Sequence, residues 1–329
     1  LKIKYLVIRF SSIGDIVLTS PVIRCLKNQV NDAEVHFVTK NRFSCLVNQN
    51  PYIDKVHLLT GNINELIVRL KKENFDYIID LHHNLRSSRI KSRLKCPAFT
   101  FNKLNIEKYL LVNFKINRLP ETHIVDRYLE ILSVFDVVND GGGLDFFIPD
   151  QECFNLNELP PKFRTGFIAF VIAGTWATKK LPEHKVAEIC NSIDFPVILL
   201  GGEAEMEAGD WILRQSKGNV LNLAGKTGFY QSASLVRDAN LVLTNDTGLM
   251  HVAAAFKKKI LSFWGCTVPA FGMTPYQAHP ASEIMEVTGI SCRPCSKIGF
   301  RKCPKKHFKC MEDQNVEQAV HWVNQHFYS

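Results

Sequence analysis

Asp15 lies in "FSSIGDIVLTSPV", residues 10–22, directly behind the apolar run "YLVIR". A lone carboxylate in a Ser-Ser-Ile-Gly turn at the end of a first strand has two uses. It can take a proton from an incoming hydroxyl as a general base, or it can cap a helix start. A second set follows a later strand, in "LVLTNDTGLMHVAAAF". There Asp246 is placed to cap the helix, and the N–H groups of Thr247, Gly248 and Leu249 form its first turn. Unpaired donors and positive potential make such a helix start a seat for a pyrophosphate, and Gly248 lets a ligand approach the backbone. An ordinary capped helix with a packed His251 is the plain alternative. In "IAGTWATKKLPEHK" the hydroxyls of Thr175 and Thr178 and the cations of Lys179 and Lys180 follow another strand. Groups of this kind bind and neutralise an anionic leaving group, although two surface lysines on a loop would look the same. In "ILLGGEAEME", Glu203 or Glu205 either accepts from a ribose diol, as an acidic residue does in dinucleotide folds, or simply charges a first helical turn.

The first half carries different anion-binding candidates. "DLHHNLRSSRIKSRLK" brings Asn84, Arg86 and Arg89 behind a strand end, with His82 and His83 preceding them. Either this is a solvated basic helix face, or Asn84, Arg86 and Arg89 grip a carboxylated or phosphorylated acceptor. His123, opening the helix of "ETHIVDRYL", is a further acceptor-side candidate beside simple helix-end packing. No second carboxylate at a telling spacing pairs with Asp15 as in a glycosidase, and no Asp-x-Asp offers a metal clamp. Neither G-x-x-x-x-G-K-[ST] nor a G-x-G-x-x-G behind the first strand is present, so ATPase and dinucleotide-dehydrogenase chemistry lose their main support.

These residues need strand ends to hold them, and the chain supplies two similar halves. Apolar β-rich runs ("YLVIRF", "EVHFVTK", "KVHLL", "FDYIIDLH", "PAFTF") alternate with helical stretches such as "SPVIRCLKNQ" and "IVDRYLEILSVF". After a Gly- and Pro-rich stretch the pattern repeats with "GFIAFVIAG", "FPVILLGG", "NVLNLAG", "ANLVLTND" and "KILSFWG". Such alternation implies βαβ units and parallel sheets. The expected organisation is an α/β domain over 1–150, a linker over 151–163, a second α/β domain over 164–311 and a C-terminal helix over 312–329. The linker ends in a Pro-Pro pair that no helix is expected to contain. Val316, Ala319, Val320 and Val323 give the last helix its spacing. Two doubly wound domains facing a central cleft would place all these motifs at carboxyl ends of strands, where open α/β sheets bind ligands.

The 329 residues are 46% hydrophobic with a net charge of +8 and a pI near 8.9. That excludes general disorder and favours an anionic partner: nucleotide, phosphorylated lipid, membrane face or nucleic acid. No apolar run is long enough to span a bilayer, and "LKIKYLVIRF" is too short and too broken by charge for a signal peptide, so a cytosolic chain is expected. Cys292, Cys295, Cys303 and Cys310 fall in a C-x2-C-x7-C-x6-C pattern that reads either as a small zinc site or as free thiols in a basic loop. The cations around them, Arg293, Lys297, Arg301, Lys302, Lys305, Lys306 and Lys309, suit anionic lipid headgroups.

Taken together and in order, "RFSSIGDIVLTSPVIRCLK", "IIDLHHNLRSSRI", "HIVDRYL", "AGTWATKKLP", "LLGGEAE" and "NDTGLMHVAAAF" resemble the heptosyltransferases of glycosyltransferase family 9, over nearly the whole chain. The resemblance implies a GT-B fold and an inverting, metal-independent transfer of heptose from ADP-heptose to a Kdo or heptose acceptor in lipopolysaccharide inner-core synthesis. No resident cofactor is implied, and the enzyme is expected on the cytoplasmic side, peripheral at the inner membrane. It further implies Asp15 as catalytic base, Thr175, Thr178 and Lys179 as phosphate contacts, Glu205 as ribose contact, and Asp246, Thr247, Gly248 and His251 as donor site. Asn84, Arg86, Arg89 and His123 remain acceptor-side candidates. Leu181 stands where the family often has Trp, and Val268 takes the acidic position of a Gly-x-Thr-Asp-Pro loop. Two alternatives stay open: a GT-B transferase using another nucleotide sugar, and a nucleic-acid-binding protein whose cysteine segment is a zinc ribbon.

Overall fold

The computed structural model describes residues 2–328. The chain divides into two compact units. The first comprises residues up to Leu104 together with Thr122–Phe147, and the second comprises Asn105–Glu121 and everything from Ile148 onward.

The first unit is built from β1 (Ile3–Ile8), α1 (Ile13–Val17), α2 (Ser20–Gln29), β2 (Ala33–Lys40), β3 (Lys55–Leu59), α3 (Ile63–Lys71), β4 (Tyr77–Asp80), α4 (Leu85–Leu94) and β5 (Ala98–Thr100). Helix α5 (Asn105–Phe114) leaves for the second unit, and α6 (Ile124–Leu129) returns to the first. The sheet order is β3-β2-β1-β4-β5, and every pairing is parallel. β1 therefore has its sequence neighbour β2 on one side and β4 on the other. This is the switch point where α/β sheets open a crevice beyond their strand ends. Residues Tyr5 to Ile8 of β1 are all buried, as a central strand covered on both faces requires. The stretch 124–135 is not one helix: it tightens into a 3₁₀ turn over Glu130–Phe135.

Besides α5, the second unit contains α7 (Pro161–Arg164), β6 (Ile168–Val171), α8 (Glu183–Asn191), β7 (Val197–Leu200), α9 (Met206–Gln215), β8 (Val220–Asn222) and α10 (Phe229–Asp238). Then come β9 (Leu241–Asn245), α11 (Gly248–Ala255), β10 (Lys259–Trp264), β11 (Glu283–Glu286), α12 (Lys309–Glu312) and α13 (Val316–His326). The order β11-β10-β9-β6-β7-β8 is again all parallel, with its switch point between β6 and β9. The Pro-Pro pair corrects the expectation for the linker. Pro161 opens α7 at its first position, where the missing N–H would have had no partner.

Helix α13 belongs to the second unit's core, with Ala319, Trp322, Val323 and Phe327 in one apolar cluster with Phe170, Leu199 and Phe263. Burying side chains of this size stabilises by about 1.5–3 kcal/mol each, which makes the strand ends a rigid frame for the loops they carry.

Candidate active site

In the second unit the loops after β6 and β9 meet at the switch point. Asn245, only 1% exposed, stitches them: its amide donates to the carbonyls of Val171 (3.4 Å) and Ala173 (3.2 Å), and its Oδ1 accepts from the Leu181 N–H at 2.9 Å. This fixes the segment from Ala173 to Leu181 over the start of α11. Asp246 does not cap that helix. Thr247 is the N-cap residue, and its side chain makes no capping bond. Asp246 Oδ2 instead takes the Lys179 ammonium at 2.5 Å and the Thr267 hydroxyl at 2.8 Å. The carboxylate thus aims the Lys179 cation at a helix start whose first N–H groups have no intrahelical acceptor. Thr247 Oγ1 is buried there without a hydrogen-bond partner. A buried hydroxyl without a hydrogen-bond partner is costly.

Lys180 and Glu205 form a second pair at 2.6 Å. Glu205 also closes a capping box, accepting from the Gly202 N–H at 3.0 Å. A cavity of about 490 Å³ is lined by this pair, by Glu183, His184 and Glu207, and by apolar groups including Ile172, Leu181 and Trp211.

In the first unit, Asp15 takes the helix-start role that the sequence left open. At the third position of α1 it accepts from the Ser12 N–H at 2.9 Å and from the Ser12 hydroxyl at 2.7 Å. Its other oxygen faces the Arg9 guanidinium at 2.7 Å. Arg9 is itself pinned by the carbonyls of Leu81 and Ser11 and the Tyr128 hydroxyl. Burial alone would raise the Asp15 carboxyl, but Arg9 and the two Ser12 donors outweigh it and hold it at about 2. The side chain keeps 20% exposure, so the anion is fixed yet reachable.

His82, at the end of β4, shares this neighbourhood. Burial, Arg9 and Lys103 push its ring down to about 4, so it is neutral, and its Nδ1 is buried without a hydrogen-bond partner. The turn that carries it is held by Asp80, which accepts from the N–H groups of His82 (3.0 Å) and His83 (2.8 Å) and pairs with Lys91 at 2.8 Å.

With both strand-end constellations defined, comparison with known proteins is decisive. Residues 63–306 match the family "Glycosyltransferase family 9 (heptosyltransferase)". The chain belongs to glycosyltransferase family 9. Among curated relatives it is similar to lipopolysaccharide heptosyltransferase 1 of Campylobacter coli, with 24% identity over 80% of this chain and 84% of that one. It is also similar to lipooligosaccharide heptosyltransferase 2 of Haemophilus influenzae, with 25% identity over 97% and 98%. Among solved structures, that of E. coli ADP-heptose lps heptosyltransferase II superposes with a TM-score of 0.76 at 21% identity, covering 99% of both chains. This family 9 glycosyltransferase therefore has the GT-B fold, as the sequence motifs implied.

The residues picked from sequence divide into those that offer free chemistry and those that hold the frame. Thr175 is exposed on the loop after β6, four residues before Lys179. Thr178 is only 2% exposed, and its hydroxyl exchanges bonds with the main chain of Phe300, donating at 3.1 Å and accepting at 2.8 Å. It clamps the cysteine loop to the loop after β6, so its polar atom is already used. His251 is likewise buried, at 2%. Asn84 Oδ1 caps α4 through the N–H groups of Arg86 and Ser87, both at 3.0 Å. His123 Nδ1 accepts from the Val125 N–H at 3.2 Å, capping α6. Arg89 donates to Asn64 at 2.8 Å. Arg86 is exposed, and with Arg42 it adds to burial in lowering the Lys40 ammonium. Three cations thus gather beyond β2 and β4. Arg9, Thr267, Asn245 and His82 complete the two constellations without having been assigned a role in the sequence.

One group among the described residues is spaced for a metal ion: His36, His57 and Glu73, whose ligand atoms lie within 4.8 Å of one another. It sits on β2, β3 and the turn before β4. Its members are already partnered, His36 by His57 (2.9 Å) and Glu34 (2.9 Å), and Glu73 by Lys55 (2.5 Å). Cys292, Cys295, Cys303 and Cys310 do not form such a group among the described residues. All four are free thiols, and burial with neighbouring thiols pushes Cys295 up to about 12.

Proposed function

We propose that this glycosyltransferase moves a heptose from ADP-heptose to a Kdo or heptose acceptor of the lipopolysaccharide inner core, with inversion and Asp15 as general base. The carrying observation is the start of α11, where Lys179, aimed by Asp246, stands beside the unpartnered Thr247 hydroxyl and the free helix N–H groups. That set suits a departing diphosphate, because charge developing on the leaving oxygens meets fixed donors and one cation. Thr175 and the backbone of Gly248 complete the phosphate contacts. The cavity that Glu205 and Lys180 help to line takes the adenine against its apolar residues, and Glu205 takes the ribose. Thr178 serves as frame in this proposal, since the Phe300 main chain takes up its hydroxyl, while His251, on the first turn of α11, stays with the donor site.

On the acceptor side, Asp15 removes the proton from the attacking hydroxyl as its oxygen bonds the anomeric carbon and the bond to ADP breaks. Arg9 and Ser12 position the carboxylate, and Arg86 with Lys40 and Arg42 binds the acceptor's carboxylate or phosphate. Asn84, Arg89 and His123 shape that wall. Such an acceptor is lipid-borne, so the enzyme works at the cytoplasmic face of the inner membrane. Its contact with that membrane is peripheral in this proposal, and no helix among the described residues is long and apolar enough to cross a membrane. Support for the donor comes from the names of the relatives, one of which is an ADP-heptose enzyme.

Calorimetric titration of the purified chain with ADP, UDP, GDP and CMP tests the donor assignment. ADP is expected to bind at least tenfold more tightly than the others. A preference for any other base would replace ADP-heptose with a different nucleotide sugar.

A further inference from the structure

We propose that α5 with the irregular stretch behind it, residues 105–118, and the cysteine loop, residues 292–309, form one docking surface for an anionic lipid bilayer. This rests on the lipid-borne acceptor above for its purpose, but on separate observations for its place.

The first observation is apolar exposure concentrated in these two segments of the second unit. Ile106 is 74% exposed, Tyr109 59%, Phe114 60%, Ile116 47%, Ile298 54% and Phe300 37%. In α5 only Leu111 is buried, while Ile106 and Tyr109 are spaced as same-face neighbours and the Tyr109 and Phe114 rings lie 6.0 Å apart. Exposed large side chains scattered singly need no explanation, but a group of them marks an interaction site.

The second observation is unpaired charge. Lys297, Arg301, Lys302, Lys305, Lys306 and Lys309 are exposed, none forms an ion pair among the described residues, and no acidic residue occurs between Glu286 and Glu312.

The third is that the two segments are physically joined and held still. The Lys115 ammonium at the end of α5 donates to the carbonyls of Cys292 (3.2 Å) and Pro294 (2.7 Å). Arg293 ties the loop to the carbonyls of Gly265 at 2.6 Å and Thr267 at 3.2 Å, and the Cys295 N–H donates to Cys266 at 3.0 Å. Gly299, at φ +115°, lies so close to Trp176 that a Cβ would come within 2.6 Å of it. The cations are therefore presented on a fixed platform.

Apolar groups ringed by lysine and arginine fit the boundary between headgroups and acyl chains, where the hydrocarbon side chains insert and the cations meet lipid phosphates. A single-stranded nucleic acid would also neutralise the charge and stack on Tyr109, Phe114 and Phe300, but it leaves Ile106, Ile116 and Ile298 without a stacking partner, whereas the hydrocarbon boundary takes all six. Thr178 links the platform through Phe300 to the loop that carries Lys179, so docking holds the donor site beside the lipid surface.

Co-sedimentation with vesicles of phosphatidylglycerol and phosphatidylethanolamine, against vesicles of phosphatidylcholine alone, tests this. The wild-type chain is expected to sediment with the anionic vesicles only and to be released by salt. Lys305→Glu with Lys306→Glu should lower the partition coefficient at least tenfold, given about fivefold per surface charge. Ile106→Ser with Phe114→Ser should lower it severalfold with charge unchanged, and thermal melting checks that both variants fold. Equal sedimentation with both vesicle types, or folded variants that bind as wild type does, overturns the proposal. So does tight binding of an oligonucleotide without binding to anionic vesicles. Loss of ADP binding with vesicle binding intact would instead count against the donor assignment.

Discussion

Asp15→Asn is expected to bind ADP as the wild type does while turning over about 10²- to 10⁴-fold more slowly, the usual loss when a general base is removed. The amide keeps the size of the carboxylate and one oxygen acceptor for Ser12, so α1 should still form. What disappears is the negative charge that Arg9 faces at 2.7 Å and the lone pair that takes the proton. The pH dependence follows from the same contacts. With the folded carboxyl held at about 2, below the ordinary value of about 3.9, Asp15 stabilises the fold fully above that ordinary value. This contribution is lost as pH falls toward 2. In the free enzyme no acid limb from Asp15 should therefore appear in kcat/KM at any pH above about 4. Steady-state kinetics across pH, with ADP calorimetry on the variant, check both parts. Near-normal turnover in Asp15→Asn would remove it from the mechanism.

Lys179→Met should have the second largest effect. Removing one charged contact that acts on developing leaving-group charge typically costs about 10²–10³ in turnover. Here the loss is compounded, because Asp246 would keep its Thr267 bond but lose the cation that offsets it. Its uncompensated charge would then face the phosphates. Both ADP affinity and kcat should fall, whereas Asp15→Asn should lower kcat alone. Single-turnover rates at saturating donor separate the two. A Lys179→Met enzyme with unchanged ADP affinity and rate would place the diphosphate elsewhere.

The strand-to-helix junctions were legible in the sequence because each joins a fully apolar run to a turn of small and polar residues. β1 into Ser11–Asp15 and β9 into Asp246–Gly248 are of this kind, and sheet order then puts both beside a switch point. Partnerships across the sequence were not legible. The Thr178 hydroxyl looks available in "GTWATKK", yet its partner Phe300 lies 122 residues away. Asp246 stands where a cap belongs, but the stronger charge interaction with Lys179 takes its oxygen. Arg9 reads as the last residue of a strand, and nothing local shows that it is 7% exposed and points at Asp15. β11 was missed because "EIME" buries only Met285. Helix α5 follows a strand of the first unit in sequence but packs with the second, which no local pattern encodes.

The most direct test of the central claim is release of ADP from ADP-heptose by the purified chain, measured with and without a Kdo-bearing lipid A acceptor. Release that depends on the acceptor, accompanied by one heptose added per ADP with inverted anomeric configuration, is the predicted result. Failure to transfer from ADP-heptose while another nucleotide sugar serves as donor, or transfer with retained configuration, would contradict it.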